Sequence, residues 1–171
     1  LQIAVDEGIP VLPRGAGTSQ TGQAIGEALI LDTTKHLNGL LEFDAEARTA
    51  CVQPGMVLDN LNRFLKPHGL FYPVDVSTAN RATLGGMTGN NSCGSRSIRY
   101  GNMVHNVLAI DGLLANGSQV HFKTLKDRQL TDEDPVQIEL FRKMLALGDR
   151  EAQEIAQRFP DLLRRVGGYN I

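Results

Sequence analysis

The residues best suited to binding a charged ligand lie near the start of the chain, between Pro13 and Gln23. This first segment reads Pro-Arg-Gly-Ala-Gly-Thr-Ser-Gln-Thr-Gly-Gln and follows a short apolar stretch that is typical of a strand. Glycines let the backbone turn and approach an anion closely, so several N–H groups can converge on a phosphate. The hydroxyls of Thr18 and Ser19 add further donors. The segment therefore favours diphosphate binding, and a tight surface turn is the alternative interpretation.

Two common phosphate-binding patterns do not fit this segment. Gly15 and Gly17 supply the beginning of a G-x-G-x-x-G fingerprint, but Gln20 stands where the third glycine or an alanine is needed. No long helix is predicted after it. A P-loop needs Gly-Lys-Ser or Gly-Lys-Thr, and neither occurs in the sequence. The pattern thus excludes a standard dinucleotide fingerprint and a P-loop.

A second segment with binding potential runs from Pro73 to Gly101. It joins Pro-Val-Asp-Val-Ser-Thr to a run of Gly, Asn and Ser between Thr83 and Gly94, and it ends in Arg-Tyr-Gly. Small side chains leave room for a flat ligand, and Asn and Ser can form hydrogen bonds with heteroatoms at its edge. Close packing through small residues is the alternative. Two such segments in one small domain favour a single large dinucleotide.

Short strands and helices must position these segments. The apolar patterns predict strands at residues 11–12 and 28–31, a hairpin of residues 39–43 and 48–53, and a helix at 57–65. Residues 71–78 are expected to be extended, and Thr83 to cap a short helix. Residues 104–114 and 120–122 are predicted to pair around a type I′ turn at Asn116-Gly117. The hairpins imply antiparallel pairing, and together with the helices they indicate an α+β fold.

The last third of the chain is predicted to be helical. Asp134 and Pro135 have the residue types of an N-cap and a first helical position. That helix is expected to end at Gly148, and a second one to run from Asp149 to Phe159. No paired catalytic residues occur in this part of the sequence.

Composition excludes several classes of protein. The net charge is −2 over 171 residues, and no apolar run is long enough to cross a membrane, so neither nucleic-acid binding nor a transmembrane segment is expected. The four histidines show no metal-binding spacing, so no metal site is predicted. Cys51 and Cys93 are too few for an iron–sulfur cluster, and Cys51 is expected to be buried. Arg96 and Arg99 have two interpretations: they bind a substrate carboxylate or a phosphate, or they are solvated or salt-bridged side chains.

Taken in order, the motifs from Pro13 to Gly101 resemble the PCMH-type FAD-binding domain of the vanillyl-alcohol oxidase and p-cresol methylhydroxylase family, also called FAD-linked oxidases. After the first segment come Gln-Pro-Gly, His-Gly-Leu-Phe-x-Pro, Asp-x-Ser, Asn-Arg-Ala-Thr-Leu-Gly-Gly-Met, Asn-Asn-x-x-Gly and Arg-Tyr-Gly. The sequence that continues from Val107 also matches. The resemblance covers most of the chain. It is strongest to the branch that acts on D-2-hydroxy acids, namely D-lactate, glycolate and D-2-hydroxyglutarate dehydrogenases.

The resemblance implies an FAD that lies across two small α+β subdomains. The pyrophosphate would be bound by Arg14, Gly15, Ala16, Gly17, Thr18 and Ser19, flanked by Gly22 and Gln23. The cofactor channel would be lined by Pro73, Asp75 and Ser77. The ribityl chain and flavin would lie along Gly85, Gly86, Asn90, Asn91, Ser92 and Gly94, with Tyr100 and Gly101 closing the site. The adenine end would lie near the residues from Val107 to Ile110. Thr18 stands where some relatives carry a histidine bonded to the flavin, so noncovalent FAD is expected.

The same resemblance implies how the chain is organised and what the protein does. Residues 1–171 would be a partial FAD-binding domain with a helical connection at about 125–165. Both ends look like cuts, so an opening strand before Leu1 and a substrate domain after Ile171 are expected in a longer, cytoplasmic protein. Peripheral association with a membrane is the alternative localisation.

The expected reaction is the oxidation of a small D-2-hydroxy acid to a 2-oxo acid. Electrons would pass to an unidentified acceptor in a partner domain or subunit. No catalytic residue is assigned within the chain, because the base is expected from the substrate domain. Two alternatives stay open: a flavin-dependent reductase like the enolpyruvyl-UDP-sugar reductase, and a noncatalytic degenerate domain.

Overall fold

The chain folds into two units, Leu1–Asn106 and Val107–Ile171. They are seen in a computed structural model that describes residues 1–128, 134–162, 166, 167, 169 and 171. The first unit begins with helix α1 (Gln2–Asp6) and contains two separate two-stranded sheets. Its core is built from apolar side chains of the helices and of the loops between them: Ala4, Met56, Leu58, Leu61, Leu65, Val74, Ala82, Leu84, Met87 and Met103.

The first sheet is parallel and explains the path of the first glycine-rich segment. Strand β1 (Val11–Arg14) pairs with β2 (Leu29–Asp32), and Arg14 lies opposite Asp32. Parallel strands need a long crossover between them. Here residues 15–28 make that crossover without a helix. Both strands were predicted, and each extends a residue or two beyond its predicted end.

The second sheet is the predicted hairpin of β3 (Leu40–Asp44) and β4 (Thr49–Val52). Asp44 closes its turn by accepting hydrogen bonds from the backbone N–H groups of Glu46 and Ala47, at 2.9 and 2.8 Å. The expected burial of Cys51 is wrong: its side chain is exposed. With only two strands in the sheet, Cys51 lies on a face that the rest of the unit leaves uncovered.

Four short helical elements follow in the first unit. Helix α2 (Leu58–Leu65) buries Leu58, Leu61 and Leu65, continues as a 3₁₀ turn (Lys66–His68), and ends where Gly69 takes a φ of 69°. Helices α3 (Leu84–Gly89) and α4 (Ser97–Tyr100) lie within the second segment, and α5 (Met103–Asn106) follows it.

Helix α5 overturns the prediction of a strand from residue 104. Hydrogen bonds from two asparagine side chains to the backbone stabilise a helical turn at this position. Asn91 accepts the N–H of Val104 at 3.0 Å, and the Asn106 side chain donates to the carbonyl of Asn102 at 2.9 Å. Such local side-chain bonds compete with extended structure.

The second unit begins with an antiparallel hairpin of β5 (Ala109–Leu113) and β6 (Gln119–Lys123). The predicted type I′ turn is wrong, because of the two central residues only Gly117 has a positive φ, of 84°. The N–H of Gly117 donates to the carbonyl of Leu114 at 2.9 Å, and the N–H of Leu114 donates to Ser118 at 2.9 Å. The loop is therefore a three-residue turn ending in a glycine bulge.

A single helix, α6 (Pro135–Arg158), replaces the two predicted helices. Its predicted start is confirmed, since Asp134 accepts the N–H of Val136 at 2.8 Å. Gly148 does not end the helix, because its φ is not positive and a helix interior tolerates a glycine at modest cost. Asp149 does not cap a new helix. Its carboxylate binds the Arg128 guanidinium at 2.8 and 2.9 Å instead.

Among the described residues, helices combine with one parallel and two antiparallel strand pairs, and this mixture confirms the α+β class. None of the described helices is long and apolar enough to cross a membrane.

Candidate functional site

The two glycine-rich segments meet where Gly15 lies against Thr83. A Cβ added at Gly15 would overlap Oγ1 of Thr83 and lie 3.3 Å from its Cβ. Only a residue without a side chain fits beside Thr83 in this arrangement. Thr83 directly precedes α3, which carries the first glycines of the second segment. The structure therefore brings the two predicted segments into contact.

The backbone of the first segment is left with its donors free. None of the N–H groups of residues 15–23 donates a hydrogen bond to another residue in the described part of the chain. Gly15, Ala16, Gly17 and Thr18 are nevertheless half-buried. This run of free N–H groups is therefore available to a ligand that supplies acceptors.

A positive charge lies over the same backbone. Gly17 has a φ of 66°, and a Cβ there would come within 2.6 Å of Nη2 of Arg14. The guanidinium of Arg14 therefore covers Gly17, and it forms no ion pair with a carboxylate among the described residues. Its charge interacts electrostatically with Asp32 on the paired strand, and beside free N–H groups it also favours an anionic ligand.

Sequence reasoning did not identify the Thr83 side chain, which lies beside Gly15 and Gly86, as an unpaired polar group. It occupies the predicted N-cap position of α3, but its hydroxyl makes no capping bond. The residue is 2% exposed, and Oγ1 has no hydrogen-bond partner. An unpaired buried hydroxyl costs about 1–3 kcal/mol, so its position needs an explanation. The family motif Asn-Arg-Ala-Thr-Leu-Gly-Gly-Met contains this threonine, but Thr83 itself was interpreted only as a helix cap.

The first segment becomes open toward its end. Gly22 has a φ of 91°, and a Cβ there would meet no atom within 4 Å. The exposed hydroxyls of Ser19 and Thr21 lie 3.3 Å apart, and Thr21 donates to Oε1 of Gln23. The polar side chains predicted here thus form an exposed ridge. Nearby, hydrogen bonds from the hydroxyl and N–H of Thr34 lower the pKa of Asp32, which keeps a negative charge at the end of β2.

Asp75 braces the second segment. Its carboxylate accepts the Ser95 hydroxyl at 2.6 Å and the N–H of Arg96 at 2.9 Å, and the Arg96 guanidinium lies 3.9 Å away. Burial opposes ionisation of Asp75, but these hydrogen bonds outweigh it and bring its pKa below the usual value. Asp75 was predicted to line the cofactor channel. In the structure it is an anchor for residues 94–97.

Glycines of the second segment serve different purposes. A Cβ at Gly94 would overlap the backbone oxygen of Asp75, and one at Gly85 would lie 2.5 Å from Cβ of Pro54. Close packing therefore explains these two glycines. Gly86 is exposed, and a Cβ there would meet only Oγ1 of Thr83, at 3.1 Å. Gly86 is thus the glycine of this segment that lies open beside Thr83.

The asparagines and serine of the second segment are engaged within the protein. Asn90 donates from its side chain to the buried Ser92 hydroxyl at 3.0 Å. Asn91, with a φ of 44°, uses its side-chain oxygen to accept the N–H of Val104. These hydrogen bonds hold Asn90 and Asn91 against neighbouring residues of the same unit. Contact with a flavin stays a prediction for all three.

Aromatic and basic residues lie at the end of the second segment. Tyr100 packs edge-on against Phe71 with ring centroids 5.7 Å apart, while the Arg96 and Arg99 guanidinium groups lie over Phe71 and Tyr100, at 5.7 and 5.3 Å. A Cβ at Gly101 would press on the His105 ring at 2.8 Å. Burial raises the pKa of Tyr72 to about 12, so Tyr72 is a structural residue rather than an acid or base at neutral pH.

The remaining predicted residues are scattered. Pro73 is half-buried and Ser77 is exposed in the first unit, whereas Val107 and Ile110 belong to the second unit. Their contacts with a cofactor stay predictions. The described residues hold no group of three His, Cys, Asp or Glu side chains that could bind a metal.

These features fit a dinucleotide. The free N–H groups of residues 15–23 and the Arg14 charge beside them suit a diphosphate.

Comparisons with known proteins agree with this chemistry. Residues 1–123 match the family described as FAD binding domain. The chain is 36% identical to a D-2-hydroxyglutarate dehydrogenase of Pseudomonas putida over 166 residues, which cover 95% of this chain and 16% of that protein. It is 37% identical to a D-lactate dehydrogenase of Archaeoglobus fulgidus over 74% of this chain and 29% of that protein.

A solved structure of alkyldihydroxyacetonephosphate synthase has the same fold. Its TM-score is 0.63 at 22% identity, and the match covers 72% of this chain and 25% of that one. The chain thus spans only a small part of the length of the proteins it matches. The resemblance drawn from the motifs is confirmed, as is FAD as the cofactor. The chain belongs to the family of FAD binding domains.

Proposed function

We propose that this chain supplies the FAD-binding part of a flavin-dependent dehydrogenase that oxidises a D-2-hydroxy acid to a 2-oxo acid. The names of the Pseudomonas and Archaeoglobus relatives support the substrate class. The observation that carries the proposal is the row of free N–H groups in residues 15–23, beside the unpaired guanidinium of Arg14.

In this function the first segment binds the diphosphate. Its N–H groups donate to the phosphate oxygens, and Arg14 offsets their negative charge. Gly17 and Gly22 adopt positive φ angles of 66° and 91°, which let successive N–H groups point to one side of the chain. When bound, FAD supplies a two-electron acceptor for the hydride that leaves the substrate carbon.

The second segment supplies a rigid wall rather than donors. Asp75 ties the loop that begins at Gly94 to the extended stretch before it, and Asn91 ties it to α5. A wall fixed in this way keeps a flat ring system in one orientation and excludes water from one side of it. The open position at Gly86 leaves space for the cofactor next to Thr83.

FAD is proposed to be noncovalent. The first segment contains no histidine, and Thr18, half-buried among the glycines, offers only a hydroxyl. Acid precipitation of the loaded protein should release all of the flavin to the supernatant. Flavin that stays with the pellet would contradict this part of the proposal.

The rest of the reaction involves groups that this chain does not identify. We infer that a base on another part of the longer protein removes the hydroxyl proton, and that electrons leave to an acceptor in a partner domain or subunit. We place the protein in the cytoplasm, with peripheral attachment to a membrane as the alternative.

The proposal is tested by anaerobic reduction of the FAD-loaded longer protein. D-2-hydroxyglutarate, D-lactate and glycolate are added separately, with the L-enantiomers of the first two as controls, and bleaching of the flavin absorption band is followed. Bleaching by a D-2-hydroxy acid and not by its L-enantiomer supports the proposal. Bleaching by NADPH alone points to the reductase alternative, and failure to bind FAD at all points to a noncatalytic domain.

A further inference from the structure

The end of the second segment carries an exposed pair of aromatic rings with an arginine over each ring. Phe71 and Tyr100 pack edge to face, with ring centroids 5.7 Å apart. Arg96 lies over the Phe71 ring at 5.7 Å, and Arg99 lies over the Tyr100 ring at 5.3 Å. Cation–π contacts restrict both guanidinium groups, so their charges are held in place at the surface. We call these four residues the arginine–aromatic face.

The two arginines of this face are open to a partner. Arg99 is exposed and forms no ion pair with any carboxylate that the structure describes. Arg96 reaches Asp75 only through Nε, at 3.9 Å, and its side chain is 60% exposed. The Asp75 carboxylate is already engaged by the Ser95 hydroxyl and by the backbone N–H of Arg96. Both guanidinium groups therefore keep most of their donors for another molecule.

The charge of the surrounding sequence has one sign. Residues 76–106 contain Arg81, Arg96 and Arg99 but no aspartate or glutamate, so this stretch has a net charge of +3 in a chain whose net charge is −2. A surface with this field attracts an acidic partner and repels a basic one. The charge therefore indicates the chemistry of what binds to the face.

A second exposed aromatic pair in the same unit shows what is particular to this one. Phe43 and Phe64 also pack edge to face, at 5.1 Å, but the His68 ring lies beside them, and no arginine lies over either ring in the part of the chain that the structure describes. Phe64 is 42% exposed and Phe71 is 47% exposed. Exposed area does not distinguish the two pairs, whereas the arginines do. Arginine combined with aromatic residues is typical of protein interfaces.

We propose that the arginine–aromatic face docks the acidic surface of a separate protein, the acceptor that reoxidises the flavin. The proposal rests on the function proposed above, which needs an acceptor for the two electrons taken from the hydroxy acid. The acceptor is reduced by those electrons, and the proton held by the reduced flavin is released to water. Because the face ends the segment that forms the wall of the cofactor site in that function, a protein docked here lies beside that wall. Its small size suits the transient, salt-sensitive complexes of electron-transfer proteins.

The test uses photo-cross-linking in the longer protein, expressed in the cells that naturally contain it. Phe71 is replaced by the photoreactive p-benzoylphenylalanine, which keeps an aromatic ring in the face. The matched control carries the same group at Phe64, the exposed phenylalanine of the other edge-on pair. The charge is tested by Arg99→Glu, and its control is Arg63→Glu, at an exposed arginine of α2 that donates to the Asn60 side chain. Bleaching of the flavin by a D-2-hydroxy acid checks that each variant is folded.

Irradiation should give a conjugate from position 71 and none from position 64. The cross-linked residue of the partner should lie in a stretch rich in Asp and Glu, and the partner should carry a haem, flavin or iron–sulfur centre. Arg99→Glu should lower the yield of the conjugate by about tenfold, because it reverses a charge of the face. Arg63→Glu should leave that yield within about twofold of the original.

Several outcomes would overturn the proposal. These are equal yields from positions 71 and 64, a conjugate that Arg99→Glu does not weaken, a cross-link outside an acidic stretch, and a partner without a redox centre. A cross-link to another part of the same polypeptide also overturns it, because the face is then covered within the protein.

The proposed function is judged separately, by the bleaching of the flavin. If a D-2-hydroxy acid bleaches the flavin and no conjugate forms, the docking face is refuted and the function stands. If the conjugate forms and no D-2-hydroxy acid bleaches the flavin, the function is refuted and with it the role of the partner as acceptor, while the acidic partner itself stands.

Discussion

The two glycine-rich segments are similar in composition but opposite in construction. In the first segment, the N–H groups of residues 15–23 are free within the described chain. In the second segment several of the N–H groups are paired within the protein. The N–H groups of Asn90, Asn91 and Ser92 bond to α3, and that of Arg96 bonds to Asp75. Glycine in the first segment exposes donors to a ligand, whereas most glycines of the second allow the chain to pack on itself.

The largest expected effect is at Gly94, where close packing is tightest. Gly94→Ala would force a Cβ into the backbone oxygen of Asp75, which cannot move without disturbing the extended stretch around Val74. We expect a loss of about 3 kcal/mol or more in the free energy of unfolding, measured by urea denaturation. The control is Gly89→Ala, because a Cβ there meets nothing within 4 Å. If both variants lose the same stability, packing does not explain Gly94.

Gly15→Ala tests the contact between Gly15 and Thr83 that joins the two segments. The new Cβ would overlap Oγ1 of Thr83, so we expect a loss of about 2 kcal/mol by urea denaturation. Adding Thr83→Ala removes the overlapping atom and leaves the two Cβ atoms 3.3 Å apart. The double variant should therefore recover most of the stability lost by Gly15→Ala. Additive losses in the double-mutant cycle would mean that the two residues do not meet.

Asp75→Asn tests whether the second segment is braced by a charge. The variant keeps one acceptor oxygen and loses the carboxylate, so we expect a loss of about 1–2 kcal/mol at neutral pH. Because folding lowers the pKa of Asp75, its contribution is present above the pKa of an unfolded aspartate, about 3.9, and is lost as the pH falls through the lower folded value. The difference in stability between the two proteins should therefore shrink in acid. A difference that stays constant from neutral pH to below pH ~3 would contradict the charge-based explanation.

Sequence patterns predicted most of the elements but not every local detail, since the loop at Asn116-Gly117 is not the predicted type I′ turn. The strands around the first segment, the β3–β4 hairpin and α2 follow from apolar spacing and turn residues, and Asp134 caps α6 as predicted. The ordered motifs identified the family, although no single one would have. Patterns failed where a distant partner decides the conformation. Asp149 has the type of a helix cap, but Arg128, 21 positions earlier, engages its carboxylate.

In the candidate site too, the sequence predicted the positions of the important residues but not their distant contact partners. Gly15 and Gly94 were both predicted to lie near a cofactor. The sequence does not reveal that Thr83 and Asp75 lie so close to them that only glycine fits at these positions. The unpaired state of the Thr83 hydroxyl is equally a property of three-dimensional packing. A glycine in the sequence indicates that a side chain is excluded at that position. Only the structure identifies the neighbouring residue that excludes it.

Gly148 offers the smallest effect and a baseline for the comparison, because it is a glycine with neither role. It lies inside α6, and an added Cβ would be no closer than 3.9 Å to its nearest neighbour, the backbone oxygen of Ile171. Gly148→Ala should raise the free energy of unfolding by about 0.5–1 kcal/mol, since alanine loses less backbone entropy in a helix and clashes with nothing. Thermal and urea denaturation would measure the gain. A loss of stability would mean that the helix bends or separates at Gly148, as the sequence pattern alone had suggested.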